Sequence, residues 1–561
     1  METATTVQRP APAEATEAPT GRARQARRGW IGLAAVLAVA LGAATIIQEL
    51  GWNQTSHYAL VRALSRGTAK IDPYASTTGD KARYHGHWYS ARAPGLAIAA
   101  LPAFEVLKHT AVNQRIHTDI VVGKKTDKMI WLLGIWAALI PALITMLLVR
   151  RLGDRIAPGY GTAAGVTLGI GTLFLPFSTL LFSHVFTAFL GFAAFAVLWQ
   201  ERDRPGPDRL WVLALAGLPV GYAIASEYPL LFAGIVLGIY AISRGDVIKR
   251  GLAYAGGVAV GVIPLALYDK LAFGSFTHVA YADIPKQQRG FFGIRVPSPK
   301  VTIELLLSSR GLLTLAPVLV MGVVGTVLLH RRGRRAEAWV VTAIALVYLA
   351  YNSGYYLPYG GTVPGPRFLI TILPFLALPL ALAYRRFPAL TLGLAAASAT
   401  CMAIPTMVKP MVSAEGDTGQ WMRLLEHHDV QGTVVTLFGA HGLVTVIPFV
   451  VLIAAGAVLA WAATPVAALG WRALAAAGGA VGAWALFAAF GPRVLGIDHA
   501  AERKIVSAGD PNAVHEKFGS HPISHLALAA LGAGLLALLA AGIAGRVRAR
   551  QPISAAPASA A

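Results

Sequence analysis

Cysteine is almost absent from this 561-residue chain, whose single cysteine, Cys401, lies within an apolar run. One thiol cannot form an intramolecular disulfide, so no such bridge braces the loops. A zinc site built from several thiolates is excluded for the same reason.

Charged residues are also scarce. They make up 13% of the chain, against roughly 25% in soluble globular domains, while hydrophobic residues make up 55% and the mean hydropathy is +0.58. Too few charges are present to cover a water-exposed surface, so lipid must cover much of it. Runs such as 129–149 and 526–543 approach the roughly 20 apolar residues that cross a bilayer. We expect helices, because an isolated strand would leave its backbone unsatisfied in hydrocarbon.

Nucleotide-binding motifs are missing as well. No P-loop or dinucleotide-binding fingerprint is present, so nucleotide-driven chemistry has no support. The net charge of +21 does not indicate nucleic-acid binding, because the basic residues form small clusters between apolar runs instead of one patch. Such clusters are typical of anchoring and orientation in a membrane.

The pattern predicts an all-α fold, a polytopic transmembrane helical bundle of about 13 to 14 spans. The predicted spans are residues 30–48, 129–149, 159–177, 181–199, 210–226, 228–243, 251–270, 311–330, 338–353, 367–384, 389–409, 442–462, 473–491 and 523–545. With the N-terminus in the cytosol, the arginine clusters between spans all fall on the cytosolic side. We therefore expect a multi-pass protein of the bacterial cytoplasmic (inner) membrane with both termini cytoplasmic.

Four regions are predicted along the chain. Residues 1–29 form a disordered cytoplasmic tail, and Trp30 opens a first span that we interpret as a retained anchor and not a cleaved signal peptide. The remaining regions are a transmembrane core, 30–409, with a long outer loop, 49–128; C-terminal helices with outer loops, 410–545; and a cytoplasmic tail, 546–561.

The loops on the predicted outer face are longer than connectors need to be. They are residues 49–128, 271–310, 354–366, 410–441 and 492–522. Within the first, the apolar segment 95–107 is too short to cross and is predicted to be an interfacial or re-entrant helix.

The first outer loop collects acidic and basic groups. Asp72 and Asp80 are candidate catalytic bases, because a carboxylate can take a proton from an acceptor. Lys81 and Arg92 are candidate clamps for a phosphate, since arginine can bind two oxygens at once. A solvated cap with an aromatic belt is the alternative interpretation of this loop.

The same loop carries His85, His87 and Tyr89, which we group with the candidate substrate-binding residues. The two histidines and Asp80 could together bind a divalent cation. Pairing of the histidines at the surface explains the spacing equally well, so no metal ligand and no cofactor are assigned.

Three further charged residues are candidates for substrate binding. Glu227 lies between two apolar runs, where an ionisable group suggests function. Arg310 and Arg367 each open a span from the outer side and could complete an anion site with the first loop. Nearby tyrosines, at positions 351, 355, 356 and 359, either stack on sugars or form an aromatic belt.

This layout resembles the GT-C class of membrane glycosyltransferases, which use polyprenyl-phosphate-linked sugars. In the branch similar to protein O-mannosyltransferases and aminoarabinose transferases, an Asp-Glu pair is followed by Tyr and a short helix. The similar stretch here is Asn53-Gln54, then Tyr58, Arg62-Ala-Leu64 and Gly67. Amides cannot accept a proton as carboxylates do, so either the base has moved to Asp72 or Asp80, or the chain does not catalyse transfer.

The leading functional hypothesis is therefore a glycosyltransferase that moves a sugar from a polyprenyl-phosphate carrier to an envelope glycan, lipid or protein on the outer face. One alternative is a flippase or transporter of lipid-linked sugars, although neither an internal repeat nor mid-span charges are evident. The other alternative is a non-catalytic membrane protein of envelope assembly. The expected partners are the lipid-linked donor, the acceptor and the bilayer, with no nucleic acid.

Overall fold

A computed structural model of the protein describes residues 21–110, 112, 117–118, 125–284, 287, 290–411, 419–497, 503–504, 515–516 and 523–550. Residues 1–20 of the predicted tail 1–29, residues 551–561 of the predicted tail 546–561 and most of the predicted loop 492–522 lie outside the described residues. Residues 21–29 belong to the helix Gly21–Ala44, and residues 546–550 belong to the helix Ser524–Arg550. The described chain is predominantly helical, with strands confined to four short antiparallel pairs.

Nine helices in the described residues are long and apolar enough to cross a membrane. They are Ala26–Ala44, Lys128–Ile156, Ser183–Arg202, Val247–Phe273, Arg335–Gly354, Pro388–Val408, Gly442–Ala463, Trp471–Val494 and Ser524–Val547. Helix ends follow local chemistry. Asp127 and Asp246 accept hydrogen bonds from the first free backbone N–H groups of their helices, and Gly274 ends Val247–Phe273 in a left-handed conformation.

Two predicted spans are broken helix pairs instead of straight helices. Pro299–Leu315 and Val318–Arg331 meet at 90°, and Arg367–Ala377 and Leu380–Arg386 meet at 52°. Pro317 and Pro379 directly precede the second helix of each pair. Proline lacks the N–H that would continue the preceding helix, which explains both breaks.

Four apolar helices are shorter, with 10–17 residues each: Gly95–Leu107, Gly161–Ile170, Leu210–Ser226 and Leu230–Ile242. The last three coincide with predicted spans, so each of the fourteen predicted spans overlaps a helix. The prediction of an all-α, polytopic bundle is confirmed. The segment 95–107 is a helix as expected.

Glycines allow two of these helices to pack closely. Gly217 and Gly221 of Leu210–Ser226 face Gly257 and Gly261 of Val247–Phe273, each four residues apart. A Cβ at Gly257 would overlap the carbonyl oxygen of Ala214. Small residues at this spacing let helix backbones approach each other, the usual basis of helix association in membranes.

The first long loop folds onto one end of the bundle. It contains a helix, Trp52–Leu64, a 3₁₀ turn, Asp72–Thr77, and a hairpin of strands Lys81–Tyr84 and His87–Ser90, before helix Gly95–Leu107. An apolar cluster that includes Leu60, Leu96, Phe104 and Met129 attaches these elements to the spans. The described part of this loop is therefore structured.

Three other predicted outer loops meet it at the same end. Strand Ile46–Ile47 pairs with Gly432–Thr433 of the loop 410–441, and the Arg295 backbone N–H donates to the Gly354 carbonyl at 2.8 Å. Tyr84 of the hairpin stacks edge-on against Phe273, with ring centroids 5.4 Å apart. Long loops that are distant in sequence thus enclose one region.

Candidate functional site

A cavity of about 500 Å³ lies where these loops meet. Its lining comprises Leu50, Gly51, Trp52, Asn53, Gly79, Asp80, Lys81, Ala91, Arg92, Phe182, Ile284, Gln287, Tyr355, Tyr356, Leu357, Gly360, Gly361, Thr362, Arg367, Phe368 and Met411. Its charged lining residues are three cations, Lys81, Arg92 and Arg367, and one carboxylate, Asp80. The cavity is therefore suited to an anion.

Asp80 and Arg92 form an ion pair across the base of the hairpin. Arg92 donates to Asp80 Oδ2 from Nη2 and, at 3.1 Å, from Nε. Oδ1 of Asp80 accepts no hydrogen bond from the described residues. Burial opposes the charge of Arg92, but the Asp80 carboxylate outweighs it, so the pKa of Arg92 is raised above its usual value. Arg92 therefore stays cationic inside the protein.

Serine side chains hold this pair in place. Ser56 donates to the Asp80 carbonyl at 2.6 Å and lies 2.8 Å from the Ser90 hydroxyl. The Arg92 backbone N–H donates to the Ser90 hydroxyl at 3.1 Å. The helix Trp52–Leu64 thereby fixes both ends of the hairpin, which positions the carboxylate and the guanidinium at the cavity wall.

Arg367 lines the same cavity and has no such partner among the described residues. It is 5% exposed, and its guanidinium makes no hydrogen bond or ion pair with the described residues. Its Cζ lies 5.7 Å from the Phe182 ring centroid and 5.1 Å from that of Phe368. Gly360 has φ of 84°, and a Cβ there would overlap Arg367 Nε. The site therefore holds a buried, unpaired cation at the cavity wall.

Lys81 contributes the third positive charge. Its Nζ donates to the Ala75 carbonyl and lies 4.7 Å from the centroid of the Trp88 ring. Lys81 is thus held by the first loop itself.

A buried polar layer lies behind the arginines. Glu227 accepts a hydrogen bond from Ser183 Oγ, and the His184 ring lies 3.9 Å from the same carboxylate. Glu227 interacts electrostatically with both Arg92 and Arg367. Glu227, a predicted substrate-binding residue, lies outside the cavity lining, where it acts as a counter-charge to the two arginines.

Two further buried polar residues were not among the site residues predicted from the sequence. Asn53 is 4% exposed and lines the cavity, and its amide makes no hydrogen bond with the described residues. His57, one helical turn later and 1% exposed, has neither ring nitrogen partnered. Burial and then the positive charges of Arg92 and Arg367 lower the pKa of His57 to about 3. Asn53 and His57 are four residues apart, which places them on one face of a helix. This spacing was the feature of the sequence that could have identified them.

Gln54 has a different position from its neighbour. It donates to the Glu49 carbonyl at 3.1 Å and accepts from the Leu181 backbone N–H at 3.2 Å. Of the amide pair Asn53-Gln54, only Asn53 therefore lines the cavity, while Gln54 ties the first loop to the spans.

Asp72, His85, His87 and Tyr89 do not line the cavity. Asp72 accepts from the Trp88 backbone N–H at 2.8 Å, and its other oxygen lies 3.1 Å from His87 Nδ1. His85 stacks on Tyr84, and Tyr89 is buried beside Phe273. The arrangement of His85, His87 and Asp80 around one cation is not formed, and the described residues contain no group of three His, Cys, Asp or Glu placed to hold a metal ion.

Arg310 also lies outside the cavity lining. It is 1% exposed, and its Nη2 donates to the carbonyls of Gly361 and Val363. Its Cζ lies 4.8 Å from the Tyr359 ring centroid. Arg310 thus supports the loop that carries Gly360 and leads to Arg367. It was expected to face the first loop in an anion site, but it is not part of the cavity lining.

The predicted tyrosines divide between two environments. Tyr355 and Tyr356 line the cavity, where Gln287 donates to the Tyr355 hydroxyl at 3.2 Å. Tyr351 packs 5.5 Å from Phe232, and Tyr359 is fully buried. Only the first two are placed to meet a ligand.

No family model matches this chain, and no curated protein does. Among solved structures, the chain is similar to ArnT from Cupriavidus metallidurans in the apo state, with a TM-score of 0.47, 14% identity, and coverage of 89% of this chain and 85% of ArnT. For ArnT bound to undecaprenyl phosphate the TM-score is 0.47, the identity is 11%, and coverage is 93% and 89%.

The chain is also similar to the oligosaccharyltransferase AglB from Archaeoglobus fulgidus in complex with an inhibitory peptide and a dolichol-phosphate. The TM-score is 0.41 and the identity is 12%, with 78% of this chain and 56% of AglB covered.

Proposed function

We propose that this protein is a membrane glycosyltransferase that moves a sugar from a polyprenyl-phosphate carrier to a cell-envelope acceptor on the outer face of a bacterial cytoplasmic membrane. The single observation that carries the proposal is Arg367, a buried arginine that has no hydrogen-bonding partner in the described part of the chain and lines a cavity that also holds the Asp80–Arg92 pair. A buried cation of this kind is costly unless an anion reaches it.

Phosphate is the anion that best fits the lining. Three cationic side chains against one carboxylate leave an excess of positive charge in the cavity. A guanidinium binds two oxygens of one phosphate in a fixed geometry. We assign Arg367 the main contact with the phosphate, with Arg92 and Lys81 beside it.

The reaction follows from the remaining carboxylate. An acceptor hydroxyl attacks the anomeric carbon of the sugar and gives its proton to Asp80 Oδ1. The bond from that carbon to the phosphate oxygen breaks, and the polyprenyl phosphate leaves with the electron pair. Arg367 and Arg92 stabilise the charge that develops on the phosphate. The displacement inverts the anomeric carbon through an oxocarbenium-like transition state.

The sugar would occupy the part of the cavity between Tyr355, Tyr356 and Asn53. Aromatic faces pack against the apolar faces of sugars, and the free amide of Asn53 can donate to and accept from hydroxyl groups. The acceptor class, whether glycan, lipid or protein, is left open in the proposal.

We also propose that the site lies on the outer side of the membrane. The positive-inside rule assigns the arginine-rich ends of the spans to the cytosol, which leaves the loop 49–128 outside. A periplasm-active reporter fused near position 85 should be active. A cytosolic reporter signal at this position would contradict the proposed location of the reaction.

The transfer itself can be tested with purified protein in nanodiscs. A panel of radiolabelled polyprenyl-phosphate sugars is added with envelope extracts, and release of polyprenyl phosphate is measured. Wild type should cleave the phosphate linkage of one donor, and Arg367→Gln should lose at least about a hundredfold of the rate, as expected when a donor to a developing anion is removed. Movement of lipid-linked sugar between leaflets without cleavage would instead identify a flippase.

A further inference from the structure

A second concave site lies at the other end of the bundle. The helix Ser183–Arg202 begins directly after Phe182 of the cavity wall and ends about 30 Å away, given 1.5 Å per residue. At this far end, Arg151, Arg155, Arg204 and Arg334 line a depression of about 410 Å³ together with Gln200 and Asp203. These arginines come from three separate segments of the chain.

The charges in this depression are unbalanced. Asp203 is its only carboxylate, and it is neutralised by Arg334, whose Nη1 lies 2.5 Å from Oδ1. Trp199 Nε1 donates to the other oxygen of Asp203 at 2.9 Å. Arg151, Arg155 and Arg204 have no carboxylate partner among the residues that the structure describes. Three like charges therefore converge on one volume, which favours binding of an anion.

Neighbouring tryptophans place the depression at the level of lipid headgroups. Trp211 and Trp339, near Arg204 and Arg334 in sequence, are 66% and 45% exposed. Exposed tryptophans at the ends of membrane helices are typical of the interface between hydrocarbon and water. A ligand in this depression would therefore lie beside the bilayer.

We propose that this arginine depression binds the phosphate-ester headgroup of an anionic phospholipid. Basic pockets between the ends of membrane helices have the charge and position that such headgroups require. Arg151, Arg155 and Arg204 supply the contacts, and the Arg334–Asp203 pair fixes the wall. The site is independent of the cavity described above and of the proposed transfer reaction.

The test compares lipid retention by the full-length protein. Protein in detergent is equilibrated with dioleoyl phosphatidylglycerol or dioleoyl phosphatidylcholine, and bound lipids are counted by native mass spectrometry. Wild type should prefer phosphatidylglycerol. The variant R151Q/R155Q/R204Q should bind it about a hundredfold more weakly, roughly fivefold for each arginine near a headgroup.

A matched control removes the same number of charges. Arg385, Arg386 and Arg472 are exposed near helix ends outside the depression, so R385Q/R386Q/R472Q should retain the lipid within about twofold. Both variants should keep the wild-type melting temperature in phosphatidylcholine, because the mutated side chains are exposed.

Three results would overturn the proposal: no preference of wild type for phosphatidylglycerol, equal losses in both triple variants, or full competition by millimolar inorganic phosphate. The last result would assign the depression to a free phosphate instead of a lipid.

Discussion

Arg92 directs two guanidinium nitrogens at the same oxygen of Asp80, Oδ2, and leaves Oδ1 without a hydrogen bond from the described residues. The pair therefore combines two functions at one cavity wall. One oxygen holds the cation in place, and the other remains available as a base. In the same cavity, the guanidinium of Arg367, which has no hydrogen-bonding partner among the described residues, supplies the charge that a phosphate would balance.

Replacing Arg310 or Arg367 by glutamine should affect the stability of the protein differently. Arg310→Gln removes the donor to the Gly361 and Val363 carbonyls, and each unsatisfied buried group costs about 1–3 kcal/mol. We expect its melting temperature to fall by several degrees. Arg367→Gln removes a buried charge without a partner, so its melting temperature should stay or rise while transfer is lost. Tryptophan fluorescence during heating measures the melting temperature of each variant. Equal destabilisation of the two variants would contradict the assigned roles.

The glycine contact between Leu210–Ser226 and Val247–Phe273 gives a prediction with an internal control. Gly257→Ala places a methyl group against the Ala214 carbonyl oxygen, so it should lower the melting temperature. Gly256→Ala, at the adjacent exposed position, meets nothing within 4 Å and should be neutral or stabilising by up to about 1 kcal/mol, because alanine favours helix. Indistinguishable melting curves would show that the two helices do not approach closely.

His57 should contribute to acid sensitivity. Its pKa is about 3 in the folded protein, whereas an unfolded histidine titrates near roughly 6.5. Below that pH the unfolded chain binds a proton that the folded chain does not, so stability falls by up to about 1.4 kcal/mol per pH unit. We expect His57→Asn to shrink the decrease in melting temperature between pH 7.5 and 5.5. Parallel curves for wild type and variant would place His57 outside a buried site.

Each apolar run that predicted a span overlaps a helix in the structure, because burial in lipid requires long uncharged segments. The two bends at Pro317 and Pro379 were missed, although proline is a known helix breaker. The Gly217/Gly221 and Gly257/Gly261 contact was also missed, since four-residue glycine spacing is common in such sequences and pairing depends on tertiary structure.

The candidate site was predicted in part. Asp80, Lys81, Arg92 and Arg367 converge at the cavity, as a loop-based anion site required. The sequence could not show which of the two candidate bases, Asp72 or Asp80, lines the cavity. The fold of the hairpin places Asp80 at the cavity and His87 beside Asp72. Asn53 was considered only as a lost carboxylate, and its free amide became evident from the fold.

Asp80 is the base in the proposed glycosyl transfer, and a comparison of Asp80→Asn with Asp72→Asn tests this role. Both variants are assayed for transfer from the donor identified with wild type, at matched amounts of folded protein. A general base accelerates a reaction at least about a hundredfold. The transfer rate of Asp80→Asn should therefore fall by that factor, while the rate of Asp72→Asn stays within about threefold of wild type. Retained activity in Asp80→Asn, or an equal loss in Asp72→Asn, would contradict the account.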